Sequence, residues 1–128
     1  MSTAAPELYI GLMSGTSMDG VDGVLMRASP EADGHAAWQV MAHAHRPLPA
    51  NLREALMDLN TPGEDEVHRC ALAAQALAVL YASVTQSVLE AAEVLPSEVR
   101  AIGVHGQTIR HRPDLGYTTQ LKIGRAHV

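Results

Sequence analysis

Leu8-Tyr-Ile-Gly-Leu-Met-Ser-Gly-Thr-Ser-Met-Asp-Gly-Val-Asp-Gly-Val-Leu-Met26 holds two apolar, strand-length runs around a tip of small polar residues. Leu8 to Met13 and Val21 to Met26 predict the two strands of a hairpin, with flanks in the core and the tip exposed. Gly15 and Gly20 allow positive φ and leave room for a large anion to approach main-chain N–H groups. Ser14, Thr16 and Ser17 add hydroxyl donors, and Asp19 and Asp22 are suited to a hydrated magnesium ion or a substrate proton. Ordinary Gly-rich hairpin turns select the same residue types, so composition alone leaves both readings open. A Walker A loop is excluded because no lysine stands in the tip or directly after it, where that pattern requires one. A dinucleotide fingerprint is excluded because a second strand, not a helix, follows it.

Outward from the hairpin, the second strand runs from Val21 to Ala28 and breaks at Ser29-Pro30. Asp33-Gly34 then predicts a tight turn into a third strand, Ala37 to His45. Alternation there puts Trp38, Val40, Ala42 and Ala44 on one face and Gln39, Met41, His43 and His45 on the other. His43 and His45 share a face as metal ligands can, but no Cys or carboxylate joins them at a fitting spacing, and a surface pair is the simpler expectation.

Pro47 and Pro49 redirect the chain into a short amphipathic helix, Ala50 to Leu59, marked by Leu52, Leu56 and Leu59. Thr61, Pro62 and Glu64 carry the cap, first-turn proline and capping-box signals of a second helix start. Val67, Cys70, Ala74, Leu77, Tyr81, Val84, Val88, Ala91 and Leu95 then recur at three-and-four spacing, predicting one long helix that ends before Pro96. A coiled coil would give a similar stripe, but Leu72, Val79, Leu80 and Leu89 widen it into the face of a helix lying across a sheet. Cys70 on that stripe is a small core residue by this account.

Arg100 to His105 returns as a strand, and after a helical crossover it should pair in parallel. Ligands of such sheets gather at the carboxyl ends of strands, where His105, Gly106, Gln107 and Thr108 fall. His105, Gln107 and Thr108 are therefore candidate substrate-binding residues. Arg110, His111 and Arg112 either face anionic groups or are plain exposed charge.

The 128 residues are 47% hydrophobic, with no Phe and one Trp, so the core is built from small and aliphatic side chains. Nine Lys and Arg against fourteen Asp and Glu give a net charge of −5 and no basic run, which argues against a nucleic-acid partner. Cys70 alone makes no disulfide framework or zinc cluster. No apolar run approaches the ~20 residues of a membrane span and no signal peptide is evident, so a soluble, cytoplasmic protein is expected.

Gly11-Leu-Met-Ser-Gly-Thr-Ser-Met-Asp-Gly-Val-Asp22 resembles the N-terminal signature of the anhydro-N-acetylmuramic acid kinases, of the sugar-kinase, Hsp70 and actin superfamily. Ala101-Ile-Gly-Val-His-Gly-Gln-Thr-Ile-Arg-His-Arg-Pro113 resembles the family's next block, in the same order and at a fitting distance. The resemblance implies an α/β, ribonuclease H-like (actin-like ATPase) domain with a mixed sheet, antiparallel N-terminal strands and packed helices, truncated here. It implies an ATP-dependent kinase of peptidoglycan recycling that uses Mg2+ and acts on a small sugar, with no nucleic acid or membrane as partner. A homodimer is compatible with it for the full-length protein. Gly15, Thr16, Ser17, Met18, Asp19, Gly20, Val21 and Asp22 would bind the nucleotide phosphates, and Asp19 and Asp22 would face the metal. The general base is expected to be an Asp in the second part of a longer chain, so no catalytic residue is assigned and these residues are expected to be inactive alone.

Tyr117-Thr-Thr-Gln120 still resembles the family, whereas Lys122-Ile-Gly-Arg-Ala-His-Val128 matches a translated sequencing-adapter oligonucleotide. Residues 1–121 are accordingly expected to be a partial kinase domain and 122–128 a non-native tail. The rivals are another sugar or acetate kinase of the superfamily, which would share the hairpin but not the His105 block, and a non-catalytic domain that binds nucleotide or a partner through the long helix.

Overall fold

The computed structural model describes residues 5–15, 17–30 and 36–121. Asp33-Gly34 and the tail 122–128 lie outside the described residues. Strands β1 (Glu7–Ser14), β2 (Gly20–Pro30) and β3 (Ala36–Pro47) are followed by helices α1 (Ala50–Asp58) and α2 (Glu66–Ala92). Strand β4 (Val99–His105) then returns to the sheet, and β5 (Gln107–Arg112) and β6 (Tyr117–Leu121) form a separate hairpin. The main sheet has the order β3-β2-β1-β4, antiparallel except for the parallel β1–β4 pair. This is a mixed α/β sheet with packed helices, consistent with an actin-like ATPase-type fold.

Alternation decides the faces. Ile10, Leu12 and Ser14 of β1 and Val21, Gly23 and Leu25 of β2 are buried on the side that carries α2. Their neighbours Tyr9, Gly11, Met13, Asp22 and Val24 lie on the opposite, open face. The strict alternation expected in β3 fails at one point. Leu25 pairs with Ala42 but Met26 pairs with Val40, so Met41 is an extra residue that shifts the register. Ala42 and Ala44 therefore pack toward the core, while Trp38 and Val40 are exposed on the open face and Trp38 tilts against Tyr9 with ring centroids 5.8 Å apart. Trp38 and Val40 do not share a face with Ala42 and Ala44, because one inserted residue reverses a period of two.

Helix α2 lies across the sheet, over β2 and β3. Leu77, Tyr81, Val84 and Val88, each at most 2% exposed, form its contact line. Each contributes about 1.5–3 kcal/mol by leaving water. The expected stripe holds from Cys70 and Ala74, partly buried against the core, to Val88, but fails at its ends, where Val67 and Leu95 are 86% and 64% exposed. By length and composition this 27-residue helix could cross a membrane, contrary to the expectation that no run comes close, but its apolar line is occupied by the sheet.

The helix start also differs from expectation. Residues 61–65 are not helical; α2 begins at Glu66 after Asp65 takes a left-handed conformation (φ 53°), and no side-chain cap forms. The Thr61 hydroxyl instead reaches back to the Asp58 carbonyl at the end of α1. The residue types of a capping box are present, but the turn out of α1 takes Thr61 first. The β5–β6 hairpin was also not foreseen; its turn, Pro113-Asp-Leu-Gly116, is closed by Gly116 at φ 81°.

At Gly23 the helix comes close to the sheet. A Cβ there would lie 2.6 Å from Val84 Cγ1 and 3.0 Å from Leu12 Cδ2, whereas one at Gly103 would meet nothing within 4 Å. Gly23→Ala should cost about 1–3 kcal/mol by overpacking, and Gly103→Ala should lower stability by less. Chemical denaturation of the two variants checks this; equal midpoints would show that α2 does not bear on β2 at this point.

Candidate functional site

The carboxyl end of β1, the tip that follows it and the carboxyl end of β4 meet at one edge of the sheet. Met13 of β1 is paired in parallel with His105 of β4, so the two sequence blocks adjoin as the crossover argument requires. A buried polar cluster ties them. The Ser14 hydroxyl donates to Gln107 Oε1, both residues being at most 2% exposed. Gln107 Nε2 donates to the Thr108 carbonyl at 3.1 Å, and the Tyr81 hydroxyl donates to the His105 carbonyl at 2.8 Å. Burial pushes the Tyr81 phenol up to about 12, with neighbouring Ser14 acting in the opposite direction.

Ser14 and Gln107 are thus spent inside the fold. Gln107, expected to face substrate, is fully buried, and Ser14, expected to offer its hydroxyl to phosphate, offers it to Gln107. His105 is exposed at the strand end, and Thr108 is half-buried, its hydroxyl accepting from Gln120 Nε2 at 3.4 Å. Arg110 reaches inward to the Leu59 carbonyl (3.0 Å) and to Glu66, joining β5 to the end of α1 and the start of α2. Its anionic partner is a residue of the chain itself. Arg112 pairs with Asp114 at the surface, which holds that carboxyl below its usual range, and His111 is exposed.

The tip is anchored from below. Met18, not a glycine, takes the left-handed conformation (φ 54°), and Gly15 and Gly20 do not. The Met18 N–H donates to the Gly15 carbonyl at 3.1 Å while its side chain, 6% exposed, enters the core with Val21 and Leu48. The strain of a left-handed Met is offset by that burial. Leu48 also donates its N–H to the Asp19 carbonyl at 3.3 Å, strapping the tip to the segment after β3. A Cβ on Gly20 would fall 2.2 Å from the Arg46 carbonyl, so this glycine serves contact with β3. Among the described residues, one on Gly15 would meet only Ser17 Oγ, at 3.7 Å. Ser17 and Asp19 are exposed there, and Thr16 lies outside the described residues.

Asp22 is placed two residues into β2, on the open face. His45 Nδ1 and His43 Nε2 both approach its Oδ1, at 3.0 and 3.2 Å. No carboxylate stands near these histidines in sequence; the β2–β3 pairing of Asp22 with His45 supplies one. Gly11 and Gly103, paired in register, floor a shallow cleft of about 500 Å3 beside Asp22 and His105. Among the described residues no group of three or more His, Cys, Asp or Glu is arranged to enclose a metal ion.

Comparison with known proteins agrees with the sequence resemblance. The sequence model of the family described as anhydro-N-acetylmuramic acid kinase matches residues 7–128. The chain is 59% identical over 114 residues to the anhydro-N-acetylmuramic acid kinase of Bordetella petrii, covering 89% of this chain and 29% of that protein. It is 54% identical over 121 residues to that of Variovorax paradoxus, covering 91% and 31%. Identity to that of Cupriavidus metallidurans is 52% over 123 residues, covering 93% and 31%. The chain therefore spans 29–31% of the length of these relatives.

Ser14→Ala should cost about 1–3 kcal/mol, because it leaves the Gln107 amide oxygen buried without its donor. Denaturant titration reads the loss; an unchanged midpoint would mean that the pair does not hold the two segments together. The Tyr81 phenol is raised from 10 to about 12 in the fold, so its contribution is complete below pH 10 and lost as pH climbs toward 12. Tyr81→Phe should lack this Tyr81-dependent loss between pH 10 and 12, as measured by melting temperature across that range.

Proposed function

The chain belongs to the anhydro-N-acetylmuramic acid kinase family, and on that premise we propose that it forms the nucleotide-phosphate-binding part of an ATP-dependent kinase. The sugar acted on is 1,6-anhydro-N-acetylmuramic acid, and the product is N-acetylmuramic acid 6-phosphate, in cytoplasmic recycling of peptidoglycan. The observation that carries the proposal is the meeting of the polar tip and the His105 segment at the carboxyl ends of parallel neighbours β1 and β4, where sheets of this kind bind ligands.

In the proposed reaction a water adds to the anomeric carbon and gives its proton to a carboxylate base. The bond from that carbon to the bridging oxygen breaks, and this 6-oxygen takes the γ-phosphoryl group as ADP leaves. The base is assigned to the part of the full-length relatives that this chain does not span. What these residues supply is position and charge. The room beside Gly15, where a Cβ would meet among the described residues only Ser17 Oγ at 3.7 Å, supports the approach of a phosphate at this point. Thr16, Ser17 and the backbone through Asp22 belong to the same phosphate-binding tip, with Met18 and Val21 as its anchors in the core.

A hydrated magnesium ion asks for only one or two protein carboxylates, which suits exposed Asp19, with Asp22 as the second candidate. When bound it neutralises charge on the phosphates. Gln107, being buried, is assigned to holding the tip rather than to the sugar. His105 and Thr108 remain the candidates for the sugar side.

A chimera carrying residues 1–121 of this chain in place of the matching segment of the full-length Bordetella petrii relative tests the proposal. It should phosphorylate the anhydro-sugar with ATP, and Asp19→Asn should lower kcat on the order of a hundredfold while leaving KM for the sugar nearly unchanged. A folded chimera without phosphate transfer would overturn the proposal, and undiminished turnover in Asp19→Asn would remove Asp19 from the metal's surroundings.

A further inference from the structure

We propose that His43 and His45 are positioning residues for the Asp22 carboxylate, orienting it toward the phosphate end of the site; this rests on the function proposed above. From the sequence the two histidines share a face as metal ligands can, with a surface pair as the simpler expectation. Pairing of β2 with β3 changes their meaning, since Asp22 lies directly opposite His45 and Val24 opposite His43. In an antiparallel pair, directly opposed and diagonal side chains on one face are close enough to interact. Both imidazoles accordingly converge on a single oxygen, His45 through Nδ1 at 3.0 Å and His43 through Nε2 at 3.2 Å.

An ionised carboxylate can only accept, so each of those ring nitrogens carries a hydrogen. His43 is held with its proton on Nε2 and His45 with its proton on Nδ1. With Oδ1 engaged twice, the carboxylate cannot swing freely about its χ2, and Oδ2 is the oxygen left for a ligand. The pull comes from β3, on the far side of β2 from the cleft that Gly11 and Gly103 floor. A carboxylate fixed in this way loses less freedom when it orients a hydrated ion or a phosphate partner, which is how positioning groups raise turnover.

The geometry also selects the substitutes. An Asn amide nitrogen falls near the place of a histidine Nδ1, and a Gln amide nitrogen near that of Nε2. If the histidines act by donating one hydrogen bond each, His45→Asn and His43→Gln should restore most of the turnover lost in His45→Ala and His43→Ala. His45→Gln and His43→Asn should not. In the chimera described above, the double alanine variant should lose about tenfold to a hundredfold in kcat, with KM for the sugar within about twofold of the parent. On an Asp22→Asn background the histidine changes should have little further effect, since the group they position is gone.

A role in packing alone predicts a different pattern, with Asn and Gln equivalent at each site and losses that follow the melting temperature. That pattern, or full turnover in the double alanine variant, would overturn the positioning role while leaving phosphate transfer by the parent chimera, and hence the proposed function, intact. No transfer by a folded parent chimera would overturn both.

Discussion

The hydrogen bond from Ser14 to Gln107, buried beside Tyr81, is the constraint on which the site depends. An unmet polar group in such a place costs about 1–3 kcal/mol, so the arrangement persists only while all partners are present. Ser14 ends β1, Gln107 opens β5, and Tyr81 comes from the middle of α2 to hold the His105 carbonyl at the end of β4. Three distant parts of the chain, β1, α2 and the β4–β5 segment, are brought to one point by buried groups. Gly106 fits the same demand, because a Cβ there would fall 2.2 Å from the Leu121 carbonyl of β6.

Around that point the packing is set by small residues. Gly23 lets Val84 of α2 press onto β2, and Gly20 lets the start of β2 run against the Arg46 carbonyl of β3. Ala42 and Ala44 continue the same close contact across β3. A chain without Phe builds its core by such proximity rather than by large rings. On the outer strand β4, Ile102 and Val104 stay about half exposed, at 49% and 47%, beside an apolar groove against α2.

The hairpin tip combines rigidity below with exposure above. Met18 is buried at the cost of a left-handed backbone, and Leu48 fastens the Asp19 carbonyl from the next layer of chain. Ser17 and Asp19 are left facing water. Polar groups next to such anchored positions lose little conformational freedom when they bind a ligand.

By itself the sequence determined the order of the elements through β4, the first hairpin, the helix lying across a sheet, the parallel return of β4 and the family, because these follow from local periodicity, turn chemistry and two motifs in register. Leu77, Tyr81, Val84 and Val88 declare a buried helix face wherever they occur. Only the tertiary structure decided which polar residues are spent internally. Gln107, Ser14 and Arg110 have the chemistry of ligand contacts, yet their partners are Ser14, Gln107 and Glu66, separated from them by 93 residues in the first pair and 44 in the last. The bulge at Met41 and the failed cap at Thr61 were hidden for a related reason, since each depends on which neighbour competes for the backbone at that place. Asp22 makes the case most directly: its histidines stand 21 and 23 residues away, and strand pairing alone brings them to its carboxylate. Patterns along a chain report what a residue can do, whereas register and packing fix the group it meets.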